Sequence, residues 1–188
     1  MTQQQRYEVV RQWTGFELRS YQAHVIAEVE IEGSFESAGS AAFRPLVSYI
    51  GGRNVEGRGL AMTAPVLQRE GDSVDPGSAS TSGEVTPSGR GTFLISFVMP
   101  DSEVFESMPA PTDARVVIRP VAQEYAVAAR YSGRWSRSAF EGHAARLLAA
   151  AEAAGFEVTG APRFARFDPP WTPWFSRRNE VVIPVRGL

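Results

Sequence analysis

Alternation of polar and apolar residues at period two runs through most of this chain. Tyr7 to Trp13 and Phe16 to Tyr21 are alternating runs separated by Thr14-Gly15, which predicts two strands joined by a turn. In Ala23 to Glu32 the residues Val25, Ala27, Val29 and Ile31 share one face, while His24, Ile26, Glu28 and Glu30 share the other. The period then changes. Ser34 or Ser37 can cap a helix running to about Ile50, stopped at Gly51-Gly52. Ala38, Ala42, Leu46 and Tyr49 form one row along it and Phe43, Val47 and Ile50 a second, so a sheet that buries the first row leaves the second at its edge.

Leu60 to Gln68 reads as a strand that Pro65 confines to an edge or a bulge. Residues 70–91 are Gly, Ser, Thr, Pro and Asp without periodicity, which predicts a mobile surface loop, and Thr92 to Pro100 is again a strand. After a proline-punctuated connector the order repeats. Arg115 to Val121 and Glu124 to Ser132 read as paired strands, and Ser138-Ala-Phe-Glu141 as a capping box heading a second helix that ends at Gly155. Arg163 to Phe167 and Asn179 to Val185 read as half-buried strands. Tyr-Ser-Gly at 131–133 echoes Ile-Glu-Gly at 31–33, and FDPP at 167–170 falls where MTAP stands at 62–65. The expectation is a single α+β domain over 1–188 with pseudo-twofold halves at about 7–100 and 115–185. Each half contributes a four-stranded antiparallel portion to a twisted, barrel-like sheet flanked by two helices, with a cleft between halves.

Composition narrows the function classes. Hydrophobic residues are 43% and charged residues 21%, with a net charge of -2, so nothing marks a polyanion or an anionic membrane as partner. No run approaches the length that spans a bilayer and MTQQQRYEVV lacks a leader's apolar stretch, so the expected address is the cytoplasm. The absence of cysteine excludes disulfides, thiolate nucleophiles and cysteine metal sites, and two histidines, His24 and His143, supply little for a histidine-based centre.

The candidate chemistry lies between the last two strands. Pro169, Pro170 and Pro173 stiffen a segment that carries Trp171, Trp174 and Phe175 and then Arg177 and Arg178. Such rings can cap the core. They can also form one wall of a site for a flat apolar ligand with an anionic edge, because rings stack on planar groups and guanidiniums pair with carboxylates. Phe43, Val47 and Ile50 on the first helix are the candidate opposite wall.

An ordered set of motifs carries a family resemblance: YE at 7–8, FELRSY at 16–21, YIGGRN at 49–54, GLAMTAPV at 59–66, FVMP at 97–100, PAP at 109–111, FDPP at 167–170 and RRNEV at 177–181. Along nearly its whole length the chain resembles the SOUL haem-binding proteins. The resemblance implies non-covalent binding of haem or another tetrapyrrole in a shallow cleft beside the first helix and the loop after FDPP, by a protein expected to be a monomeric carrier or buffer. It carries the pocket onto Phe43, Val47, Trp171 and Trp174, with Arg177 and Arg178 toward the propionates or in structural ion pairs. Some members have a proposed histidine iron ligand where this chain has Ser20, so ligation would fall to another donor such as Tyr49, Met62, Met99 or His143. The same doubled fold also serves as an effector-binding sensor and in small hydrolases. The residue for the latter would be Glu180, as a base.

Overall fold

The computed structural model describes residues 3–71 and 90–187; most of the loop expected at 70–91 lies outside them. Eleven strands and two α-helices follow in the order β1 (Gln3–Gln4), β2 (Tyr7–Trp13), β3 (Phe16–Tyr21), β4 (His24–Ser34), α1 (Phe35–Ile50), β5 (Thr63–Ala64), β6 (Val66–Glu70), β7 (Arg90–Val98), β8 (Val116–Val121), β9 (Glu124–Tyr131), α2 (Arg137–Ala153), β10 (Arg163–Arg166) and β11 (Asn179–Val185). Nine strands form one sheet in the order β2-β3-β9-β11-β10-β6-β7-β4-β8, every neighbouring pair antiparallel, and β1 pairs in parallel with β5.

This is the expected α+β fold, and its nine strands divide where β10 meets β6 into β2-β3-β9-β11-β10 and β6-β7-β4-β8. The two sequence halves exchange strands across that division. β3 pairs with β9 of the second half, and β8 pairs with β4 of the first. The pairing expected between 115–121 and 124–132 is therefore corrected: alternation says which face of a strand is buried, not which strand lies beside it. The exchange also shapes the sheet. β3 and β4 stand six places apart in the strand order, about 29 Å if the sheet were flat at ~4.8 Å per strand. Only Gln22 and Ala23 connect them, a link that spans about 11 Å. The sheet must curl, and the link between β8 and β9 imposes the same curl from the other side. It stays open, with β2 and β8 at its edges.

Both helices pack on one face, α1 against β4 and β7, α2 against β9 and β11. Leu18, Val25, Val29, Ile95, Phe97, Phe164, Val181 and Ile183 meet Ala38, Ala42, Leu46, Tyr49, Ala144, Leu147 and Ala151 there. A smaller cluster of Tyr21, Ile26, Leu67, Val98, Ala165 and Val182 occupies the other face. β10 and β11 are consequently buried on both faces, where half-burial was expected, because each is a central strand.

Local signals account for the helix ends. Ser34 accepts from the Ser37 amide and Ser37 reaches back to the Ser34 amide, closing a capping box. The second cap is Ser136, not Ser138: its hydroxyl accepts from the Ala139 amide, so α2 begins two residues earlier than expected. The run 60–68 is split by a cis Ala64-Pro65 bond into β5 and β6. Glu70, Arg90 and Gly91 belong to strands and not to the loop.

Candidate functional site

The proline-rich arm leaves β10 at Phe167, passes through a single 3-10 turn at Trp174–Ser176 and returns as β11. Its rings do not fold onto the core. Trp171 is 83% exposed, Phe175 64% and Trp174 49%. Arg177 ties the arm into a loop by donating from Nε to the Thr172 carbonyl at 2.8 Å and from Nη2 to the Pro170 carbonyl at 2.6 Å. The same guanidinium lies 4.2 Å from the centre of the Trp135 ring, and Trp135 Nε1 donates to Asn179 Oδ1 at 2.9 Å. The arm is thus fastened to the residues just before α2, and Arg134 lies over Trp174 at 5.3 Å.

Between the arm and the two helix N-termini lies an open cleft of about 570 Å³, lined by Glu36, Arg134, Trp135, Ser136, residues 170–174 and Arg177. That is within the size range of small-molecule sites, roughly 300–1,000 Å³. Glu36 belongs to α1, and its carboxylate accepts the Arg137 amide of α2 at 2.9 Å. Glu36, Ser40, Phe43 and Val47 follow one another at spacings of four, three and four, so they run along a single edge of α1 from the cleft toward the helix's far end. Of the expected site residues Trp171, Trp174 and Arg177 line the cleft, whereas Phe43 and Val47 lie about 10 and 16 Å farther along α1 from Glu36 and are not part of its lining. Phe43 is 46% exposed, Val47 is half-buried and Ile50 is buried in the core.

The two adjacent arginines part company, because successive residues entering a strand point to opposite faces. Arg177 stays on the helix side. Arg178 turns to the other face, where it lies 3.9 Å over the Phe167 ring and donates to Glu180 Oε1 from Nε at 2.9 Å and Nη2 at 2.7 Å. Arg19 meets Glu180 Oε2 from Nη1 at 2.5 Å. Burial disfavours the Arg19 charge, but Glu180, Tyr21 and Glu17 outweigh it and raise its pKa. Tyr21 is pushed up to about 12, chiefly by burial. Glu180 is fully buried with both oxygens occupied, and the cavity beside it, about 10 Å³, has room for roughly one water. This arrangement offers no reach from Glu180 to a substrate.

Neither histidine lines the cleft. His24 sits on the far side of the sheet, bonded to Gln5 and to the Gln22 carbonyl, and His143 stacks on Tyr131 at 3.9 Å with Arg146 at its Nδ1. Tyr49 donates to the Pro109 carbonyl and Met99 is buried, whereas Met62 is 41% exposed. Among the described residues no cluster of three or more acidic or histidine side chains could hold a metal ion, and no helix is long and apolar enough to cross a membrane. Sequence reasoning missed Arg134, Trp135 and Glu36. The available signal was Ser136 as cap, which puts Trp135 and Phe140 at the two positions of a hydrophobic staple.

The family model for the SOUL heme-binding protein matches residues 2–184. The chain belongs to the SOUL haem-binding protein family. Heme-binding protein 1 of Xenopus laevis is 25% identical to this SOUL protein over 174 residues, covering 88% of this chain and 81% of that one. Among solved structures, the C-terminal domain of EcmrR superposes with a TM-score of 0.65 at 13% identity over 97% of this chain and 99% of that one. A hydrolase encoded by lin2189 from Listeria innocua superposes with a TM-score of 0.53 at 13% identity over 91% of each. These likenesses show a shared fold.

Proposed function

We propose that this SOUL-family protein binds haem or a related tetrapyrrole reversibly, one per chain, as a carrier or buffer. The observation that carries the reading is the exposed aromatic surface of Trp171 and Trp174 in a cleft walled by the arm and the first turn of α1, with Phe43 exposed farther along the same helix edge. Surface of this kind is costly to leave in water and suits the faces of a flat apolar ring. The residues fit such a group: rings for the macrocycle, the half-buried Val47 for its apolar rim and guanidiniums near the arm for its carboxylates. Arg177 serves by holding the arm in shape, and Arg178 by neutralising Glu180 on the opposite face. Haem supplies its own iron chemistry when bound. This chain binds and orients it, and without cysteine the link is not a thioether.

Commitment of Glu180 to Arg19 and Arg178 supports carriage over a hydrolase built on that residue. Intrinsic fluorescence tests the reading. Three of the four tryptophans, Trp135, Trp171 and Trp174, line the cleft, so haemin should quench most of the emission saturably at one equivalent. Quenching that stays linear in haemin, as for collisions, would count against a site there.

A further inference from the structure

We infer that Arg134 is the residue that recognises the ligand's carboxylates, so the tetrapyrrole lies with its acidic edge at the arm and its apolar edge toward Phe43 and Val47. The inference rests on the tetrapyrrole reading and adds an orientation and a specificity residue to it.

The arginines near the arm differ in what they already hold. Arg178 is on the other face of the sheet and bound to Glu180. Arg177 spends its Nε and Nη2 on the arm's own carbonyls. Arg166 is buried, its Nη2 donating to Gln68 and its guanidinium 5.3 Å from the Trp135 ring, behind the cleft wall and not in it. Arg134 is exposed and lines the cleft, and among the described residues its contact is with the face of Trp174, which leaves its N–H groups open to a ligand. Its planar fork suits a carboxylate in two-point contact.

Electrostatics point the same way. Arg134, Arg166 and Arg177 surround the Trp135 and Trp174 rings, and Arg166 has no carboxylate partner among the described residues. The carboxylate in the cleft lining, Glu36, is occupied by the Arg137 amide at the start of α2. Arg137 itself turns to Glu70 and Glu141. The lining sets two guanidiniums, Arg134 and Arg177, against the single carboxylate of Glu36, so the arm end of the cleft is net positive, while the far end of the α1 edge, at Phe43 and Val47, is uncharged and apolar. A flat ligand with acids on one side has one favourable orientation.

The test compares haemin with haemin dimethyl ester on the full chain, for the wild type and for Arg134→Gln and Arg134→Lys. The wild type should bind the diacid about two- to fivefold more tightly than the diester, the scale of one partly exposed charge contact, and added salt should narrow the gap. Arg134→Gln should bring the diacid down to the diester's affinity and leave the diester nearly unchanged, with Arg134→Lys between. If Arg134 only steadies Trp174, both ligands weaken together and the ratio survives, which overturns the inference. A wild type without preference for the diacid overturns it as well. A wild type that binds neither ligand is the failure of the tetrapyrrole reading, and the inference falls with it.

Discussion

Arg177 lies 4.2 Å over Trp135 while its guanidinium holds the carbonyls of Pro170 and Thr172, so one side chain fixes both the shape of the arm and its place on the body. Arg177→Ala should free the arm. Cleavage within 169–176 by a nonspecific protease should accelerate, and the folded state should lose about 1–2 kcal/mol, a melting-temperature drop of a few degrees. Arg177→Lys should recover little, because an ammonium cannot reproduce the fork and the stacked plane together. Unchanged proteolysis in Arg177→Ala would mean the prolines alone hold the arm.

Glu180 and Arg19 join β11 to β3 across the helix-free face, fully buried. Removing one partner strands the other, so Glu180→Gln should destabilise by roughly 3 kcal/mol in urea unfolding. Replacing Glu180 and Arg19 together by apolar residues should cost less than Glu180→Gln alone. A Glu180→Gln protein as stable as wild type would show that Glu17 and the Tyr21 hydroxyl already satisfy Arg19.

Gly39 sits under Arg166: a Cβ there would collide with its guanidinium. Elsewhere in a helix Gly→Ala stabilises by up to about 1 kcal/mol, but here it forces a buried guanidinium to move. Burial already holds the Arg166 pKa down at about 10. Gly39→Ala should therefore destabilise on its own and become neutral or stabilising in an Arg166→Met background. Additive effects in that double-mutant cycle would contradict the packing.

Burial lowers the pKa of both histidines, with Arg146 adding to the effect at His143. A folded value below 6.5 means the unfolded chain takes up protons first, so stability falls as pH drops below about 6.5 and is full above it. Denaturation midpoints should decline from pH 7 to 5, and His24→Gln with His143→Gln should flatten that decline. A steeper decline in the double variant would reverse the sign of the argument.

The strands were legible because alternation reports burial, and α1 because its caps and glycine stop are local. Partnership was not local. Nothing in 116–121 says that β8 leaves its sequence neighbour β9 for β4; that pairing depends on residues distant in sequence. At the site, the prolines announced an arm, and the spacing of Phe43 and Val47 announced the exposed edge of α1 that leads away from the cleft. That Arg177 and Arg178 diverge follows from alternation once β11 is known to start at Asn179, but treating them as one motif concealed it. Trp135 stayed hidden because the cap was set at Ser138, two residues late.

The central claim is that a tetrapyrrole occupies the surface between the arm and the Phe43–Val47 edge of α1. Soret titration of haemin into the wild type, Val47→Glu and the His24→Ala and His143→Ala variants measures it most directly. The account predicts one saturable site, weakened by about 2 kcal/mol or more in Val47→Glu with the fold intact by circular dichroism, and a Soret position nearly unchanged in either histidine variant. Absence of a saturable site, or a site lost on changing one histidine while Val47→Glu binds normally, would contradict it.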